Sequence, residues 1–166
     1  MSEFTKPIDL RFDNYGRPTT CQPIEGWKYY LDWEKGDEYV LVSPELVTDG
    51  VSTPVRLQGV LPKFDYRSLK AGISHDQLYK HPVIHLTDVE GVTRPCSKTE
   101  ADKLFYKMLK LGGQKWVDAT DNRWIHLYRK HSWQARAMAA YMALFLFGWV
   151  AFYKHRFNDW RKARNK

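Results

Sequence analysis

Ser68-Leu-Lys70-Ala71-Gly72-Ile-Ser74-His75-Asp76-Gln77-Leu78-Tyr79 and, further on, Ser97-Lys-Thr-Glu100-Ala101-Asp102-Lys103-Leu104-Phe105-Tyr106 are the stretches whose reading decides the fold. They predict two helices within Ser68 to Leu111, joined by a polar, proline-punctuated loop. In the first, Lys70, Ser74 and Gln77 fall on one narrow face, so at about 100° per residue His75 points away from solvent, beside Ala71, Leu78 and Tyr79. In the second, Ser97 and Glu100 form a capping box. Ala101, Leu104, Phe105, Met108, Leu109 and Leu111 make its apolar arc, and Lys103, Lys107 and Lys110 its wet side. Asp102 lies on the border of that arc. Packed as an antiparallel hairpin, the helices bring Asp102 within reach of His75 or the Tyr79 hydroxyl, and a buried carboxylate needs such a partner.

The connection between the helices begins at His81-Pro82, since the residue before proline disfavours helical geometry. His85, Asp88 and Glu90 then read as solvated loop residues, and Gly112-Gly113 as the stop of the second helix. Upstream, Ile8 to Phe12, Trp27 to Trp33 and Glu38 to Val42 are strand candidates, with Glu34-Lys-Gly-Asp37 as a hairpin turn. The fold class is therefore α+β: a small N-terminal antiparallel sheet, an antiparallel helix pair and a long apolar C-terminal helix. Residues 1–120 would form the α+β domain and 121–166 the helix with its basic tail.

Asp49-Gly50-Val-Ser52-Thr-Pro54 favours a tight connection, because glycine accepts positive φ and proline fixes its own. Asp49 and Ser52 either bond to their own backbone or support the helix pair's site.

The last third is one helical pattern, starting near Asn122 or Ser132 and running towards Trp160. Ala137 to Tyr153 is an uncharged run of 17 residues, at the short end of what spans a bilayer, where about 20 are needed. Trp149 near its end and the Lys154, His155, Arg156 cluster beyond it have the character of interfacial anchors. The same run also suits a helix buried in the domain or in an oligomer.

Of 166 residues, 43% are hydrophobic and 15% aromatic, which excludes a mostly disordered chain. Two cysteines, Cys21 and Cys96, are too few for a disulfide scaffold, and no zinc-ligand spacing occurs. The first thirty residues lack an apolar signal-type core, so the expected location is a cytoplasm or a particle assembled there. The net charge of +7 is concentrated between Arg123 and Lys166, where ten Lys or Arg face one Asp. Nucleic acid is the weakest partner class, because no helix-turn-helix, zinc or stacking pattern accompanies the basic tail.

Three blocks, Thr48-Asp49-Gly50-x-Ser52-x-Pro54, Ala71-x-x-x-His75-Asp76-x-Leu78-Tyr79 and Ala101-Asp102-x-x-Phe105-Tyr106, together resemble a family of tailed-phage and prophage genomes, domain-of-unknown-function family 1353. A fourth, Ala143 to Trp149, is similar to that family's final apolar block, but has Phe145 where the family often has a basic residue. The resemblance implies a bacteriophage virion or tail component. Its apolar, basic C-terminal helix, with Phe145, Trp149, Lys154 and Arg156, would dock to other virion proteins or to the host membrane during assembly or genome delivery. Alternatives are a His–Asp hydrolase, phospholipase-like or cell-wall-directed, used in host entry, and a phage membrane protein acting in the infected cell.

The His-Asp-x-x-Tyr and Ala-Asp-x-x-Phe pair also resembles the catalytic helices of secreted and parvoviral phospholipases of the A-two class. That resemblance implies a hydrolase with His75 as general base, Asp102 orienting it, Tyr79 supporting Asp102 and Asp76 binding calcium. Calcium is the only cofactor it would bring, and the glycine-rich calcium loop of those enzymes has no counterpart here. The competing reading makes His75, Asp76, Tyr79 and Asp102 a buried polar network that fixes the helix pair.

Overall fold

The computed structural model describes residues 9–12, 20–31, 36–48, 65–87 and 91–164. Strands β1 (Leu10–Phe12) and β2 (Cys21–Pro23) pair antiparallel, with Phe12 opposite Cys21. Cys21 also exchanges both backbone hydrogen bonds with Thr48, at 2.7 and 2.9 Å. The expected pairing is present as β3 (Trp27–Tyr30) against β4 (Glu38–Val42), in the register Trp27 to Val42 and Tyr30 to Tyr39, while Glu34 and Lys35 of the expected turn lie outside the described residues. Its period-two pattern buries Trp27, Tyr29, Val40 and Val42 while Leu41 faces out.

Helix α1 (Tyr66–Lys80) begins at Asp65, whose side chain caps the Arg67 N–H at 2.9 Å, and stops at His81 before Pro82. It is sandwiched between the strands and the other two helices, so nearly every residue from Ser68 to Tyr79 is buried. This corrects the reading of Lys70, Ser74 and Gln77 as a solvent face. Ser74 and Gln77 are buried, with Ser74 Oγ accepting from the Trp27 indole at 3.3 Å and Gln77 Oε1 facing the Ser43 N–H at 3.5 Å. A helix face can be polar because it meets polar groups of a sheet, not water.

The connection after α1 is also more regular than a loop. β5 (Val83–Leu86) and β6 (Thr93–Pro95) add to the hairpin, giving an antiparallel sheet in the order β3-β4-β5-β6. His85 is therefore a strand residue, stacked on Tyr39 with ring centroids 5.2 Å apart. Asp88 and Glu90 lie outside the described residues, as do Asp49, Gly50 and Ser52. Flanking prolines hid these strands, yet Pro95 is tolerated because β6 is an edge.

Helix α2 (Lys98–Asp118) starts at Ser97, whose Oγ accepts from the Glu100 N–H at 3.2 Å, as the capping box requires. It runs through Gly112 and Gly113 rather than stopping there. A Cβ on Gly112 would lie 1.9 Å from the Arg67 carbonyl oxygen, and one on Gly113 1.9 Å from the Trp133 indole nitrogen. Both glycines are close-approach residues that let α1 and the last helix come down on α2.

Helix α3 (Arg123–Arg164) is capped by Asn122, whose Oδ1 accepts from the Trp124 N–H at 3.0 Å, and returns antiparallel along α2. Trp133, Ala137, Ala140 and Phe152 join the same core as Tyr29, Val40, Ile84, Leu104 and Phe105. The Trp133 indole donates to the Leu109 carbonyl at 2.8 Å. From sheet edge to helices, Arg94 bridges β4 and α2, its Nη2 standing 2.7 Å from both Glu38 and Glu100.

Candidate functional site: a sealed polar cluster under α3

Asp102 is the centre of the site and has no solvent exposure. It rises from the apolar arc of α2 towards α1, where His75 Nε2 lies 3.1 Å from its Oδ1 and the Tyr79 hydroxyl donates to the same oxygen at 2.7 Å. Helix spacing explains the convergence, since His75 and Tyr79 are one turn apart on one face of α1. Lys98, one turn before Asp102 on α2, donates to Oδ2 at 2.6 Å. Its ammonium also donates to the Leu144 carbonyl of α3 at 3.0 Å. The carboxylate thus has three donors, and one of them reaches across to the third helix.

Burial alone would push the Asp102 carboxyl up, but the bonds from His75, Lys98 and Tyr79 outweigh it and hold the group below the usual carboxylate range. Burial and the adjacent carboxylate raise the Tyr79 hydroxyl far above its ordinary value, so it stays a donor. His75 is 3% exposed, with its ring 4.0 Å from that of Tyr79 and 4.9 Å from that of Phe105.

α3 closes the cluster. Gly148 sits over it so tightly that a Cβ there would be 2.6 Å from the Tyr79 oxygen, and Phe152 packs edge-on to the Tyr79 ring. Sequence reasoning brought His75, Tyr79 and Asp102 together but missed Lys98, although the i, i+4 spacing to Asp102 was a usable signal. The sequence marks Gly148 and the small alanines as suited to tight helix packing, but which group Gly148 faces is recognisable only once the helix opposite is known.

Asp76 points elsewhere, accepting a hydrogen bond from the Thr48 hydroxyl in the bridge to β2. Calcium needs six to eight oxygen ligands. Asp76 brings one carboxylate, and among the described residues no group of three or more His, Cys, Asp or Glu stands close enough to hold a metal. Among the described residues, Asp76 therefore belongs to no acidic cluster of that size.

The outer surface of α3 is of the opposite character. Phe145, Leu146, Phe147, Trp149, Val150, Tyr153 and Phe157 are each more than half exposed, and Lys154 and Arg156 are exposed beside them. The segment Arg123–Lys154 is long and apolar enough to cross a membrane by length and composition, and 29% of its apolar window is buried within the chain. Within this chain, therefore, α3 is not an enclosed central helix.

A family model described as a protein of unknown function, DUF1353, matches residues 26–125, more than half of the chain. The chain belongs to that family. The DUF1353 match begins just before β3 and ends at the start of α3, so it contains His75, Asp76, Tyr79, Lys98 and Asp102. The apolar stretch of α3, including Ala143 to Trp149, lies beyond the DUF1353 match. No curated protein and no solved structure matches the chain.

Proposed function

We propose that this DUF1353 protein is a phage virion or tail-associated component that uses α3 as a docking helix, with the Asp102 cluster as the latch that holds α3 on the body. The observation that carries this reading is the inversion of α3. Its small residues Ala137, Ala140, Ala143 and Gly148 turn inward, while its large apolar residues, apart from the core anchors Trp133 and Phe152, mostly turn outward. A continuous exposed apolar stripe of this kind is a mark of an interaction surface in a folded chain. The phage origin is supported by the resemblance of the sequence blocks to a tailed-phage and prophage family. Purified particles provide the test: the protein should be present in them, and a photo-reactive group at Trp149 should cross-link to a virion neighbour or to lipid. Its absence from particles would sink the reading.

One observation favours a second reading, a His–Asp hydrolase: His75, Asp102 and Tyr79 stand in the relation the phospholipase resemblance implies. A His–Asp pair fixes the tautomer and steadies the imidazolium, and general-base help contributes roughly 10²–10⁴-fold. Such a reaction requires water and a carbonyl to reach a ring now packed between Tyr79 and Phe105. Fatty-acid release from phosphatidylglycerol vesicles, with calcium supplied, decides it. Release by the native chain and none by a folded His75→Ala variant would establish the hydrolase; no release by the native chain removes it.

A further inference from the structure

We infer that the occupant of the exposed α3 face is an anionic lipid surface, on which α3 lies in the plane of the membrane rather than across it. This deepens the docking reading and rests on it.

Three observations select the lipid and the orientation. First, Met138, Met142, Phe145, Trp149 and Tyr153 recur at three- and four-residue steps along one side of α3, flanked by Leu146, Val150 and Phe157, with Phe147 exposed on the far side. The opposite face is committed to the body through Trp133, Ala137 and Ala140, while Phe152, seven residues on from Phe145, turns the end of the stripe into the core. A spanning α3 would carry α2 with it, because Lys98 sits against Leu144 and Leu109 against Trp133. The exposed lysines of α2, Lys103, Lys107 and Lys110, would then enter hydrocarbon. A helix with one apolar face and its other side on a polar body belongs at the interface.

Second, charge argues against a second copy of this chain as the occupant. Between Arg123 and Lys166 ten basic residues face one acidic residue, so two α3 faces laid together in either direction would juxtapose like charges. The exposed cations Lys154, Arg156, Arg161 and Arg164 instead complement anionic headgroups. Third, the stripe carries aromatic residues of interfacial type. Trp149 and Tyr153 lie within it, and Trp124 and Tyr128, both over two-thirds exposed, continue the same side towards the start of α3.

The full chain is mixed with vesicles of phosphatidylcholine alone or of phosphatidylcholine with phosphatidylglycerol, and bound protein is recovered by flotation. Binding should require phosphatidylglycerol and weaken as salt rises. Lys154→Ala and Arg156→Ala should each lower affinity roughly five-fold. Phe145→Ser and Trp149→Ser should lower it roughly ten- to hundred-fold, with the thermal midpoint unchanged because both side chains face out. Quenching of Trp149 by lipids labelled near the headgroup should exceed quenching by lipids labelled at the bilayer centre. Equal binding to both vesicles overturns the anionic preference, and stronger quenching from the bilayer centre overturns the in-plane orientation. A chain that ignores vesicles but sits in particles, cross-linked from position 149 to an acidic virion protein, overturns the lipid and leaves the docking reading standing. A chain found in neither vesicles nor particles fails both.

Discussion

At the scale of single residues, Asp102 and Gly148 show opposite ways of specifying one contact. Asp102 supplies an anion whose three donors come from two helices, and Gly148 supplies the space for one of those donors, the Tyr79 hydroxyl, to approach α3. Asp102→Ala leaves the buried His75 ring and Tyr79 hydroxyl without their acceptor and takes from the Lys98 ammonium its only counter-charge in the cluster, and should cost about 3–5 kcal/mol in urea unfolding. Tyr79→Phe removes one donor of three and should cost only about 1 kcal/mol. A loss under 1 kcal/mol in the Asp102 variant would show that the cluster does not hold the helices. Gly148→Ala has a sign set by the structure. In an unobstructed helix the change stabilises by about 1 kcal/mol. Here the new methyl meets an oxygen already held by Asp102, so a loss of about 1–3 kcal/mol is expected, read as a lower thermal midpoint.

At the scale of elements, the start of α2 and the end of α1 were legible and the end of α2 was not. Ser97 with Glu100 and His81 with Pro82 are local signals, decided by side chains a few residues apart. Gly112 and Gly113 carry the local signature of a stop, yet α2 passes through them because Arg67 and Trp133, distant in sequence, fill the space a side chain would take. Gly112→Ala should therefore destabilise more than Gly148→Ala, since backbone oxygen cannot swing aside; equal midpoints for the two variants would contradict this. β5 was illegible for a related reason, its pairing with the hairpin being set by β4, more than forty residues upstream, and β6 follows it as the strand paired to β5. The pairing of His75 with Asp102 was readable because helical periodicity alone aims both inward. The third donor, Lys98, was signalled by its i, i+4 spacing to Asp102, whereas the group that Gly148 faces needed the position of α3.

At the scale of the whole molecule, charge placement sets a pH window. The Arg94 bridge lowers Glu38 and Glu100, and Asp65 and Asp102 are held low by their donors against the opposing effect of burial. Each contributes stability present above its unfolded value, near pH 4, and lost as pH falls through the lower folded value. Burial first, then Glu100, pushes the Cys96 thiol up to about 12 from an ordinary 9.0, so its contribution is full below pH 9 and lost as pH rises towards 12. Urea midpoints measured against pH should give a plateau between these limits, with Asp102→Asn flattening the acid limb; a decline centred near neutral pH would contradict it. The pairing of Tyr39 with His85 has a further consequence, in time rather than energy. β4 leaves the ribosome with one edge open, and its partner follows only after all of α1. α2 and α3, by contrast, are joined by four residues and can close as soon as both exist. Among the described strands, β4 is the one whose partner arrives only after a whole helix has been made. Chaperone capture or mispairing between nascent chains should begin at that edge.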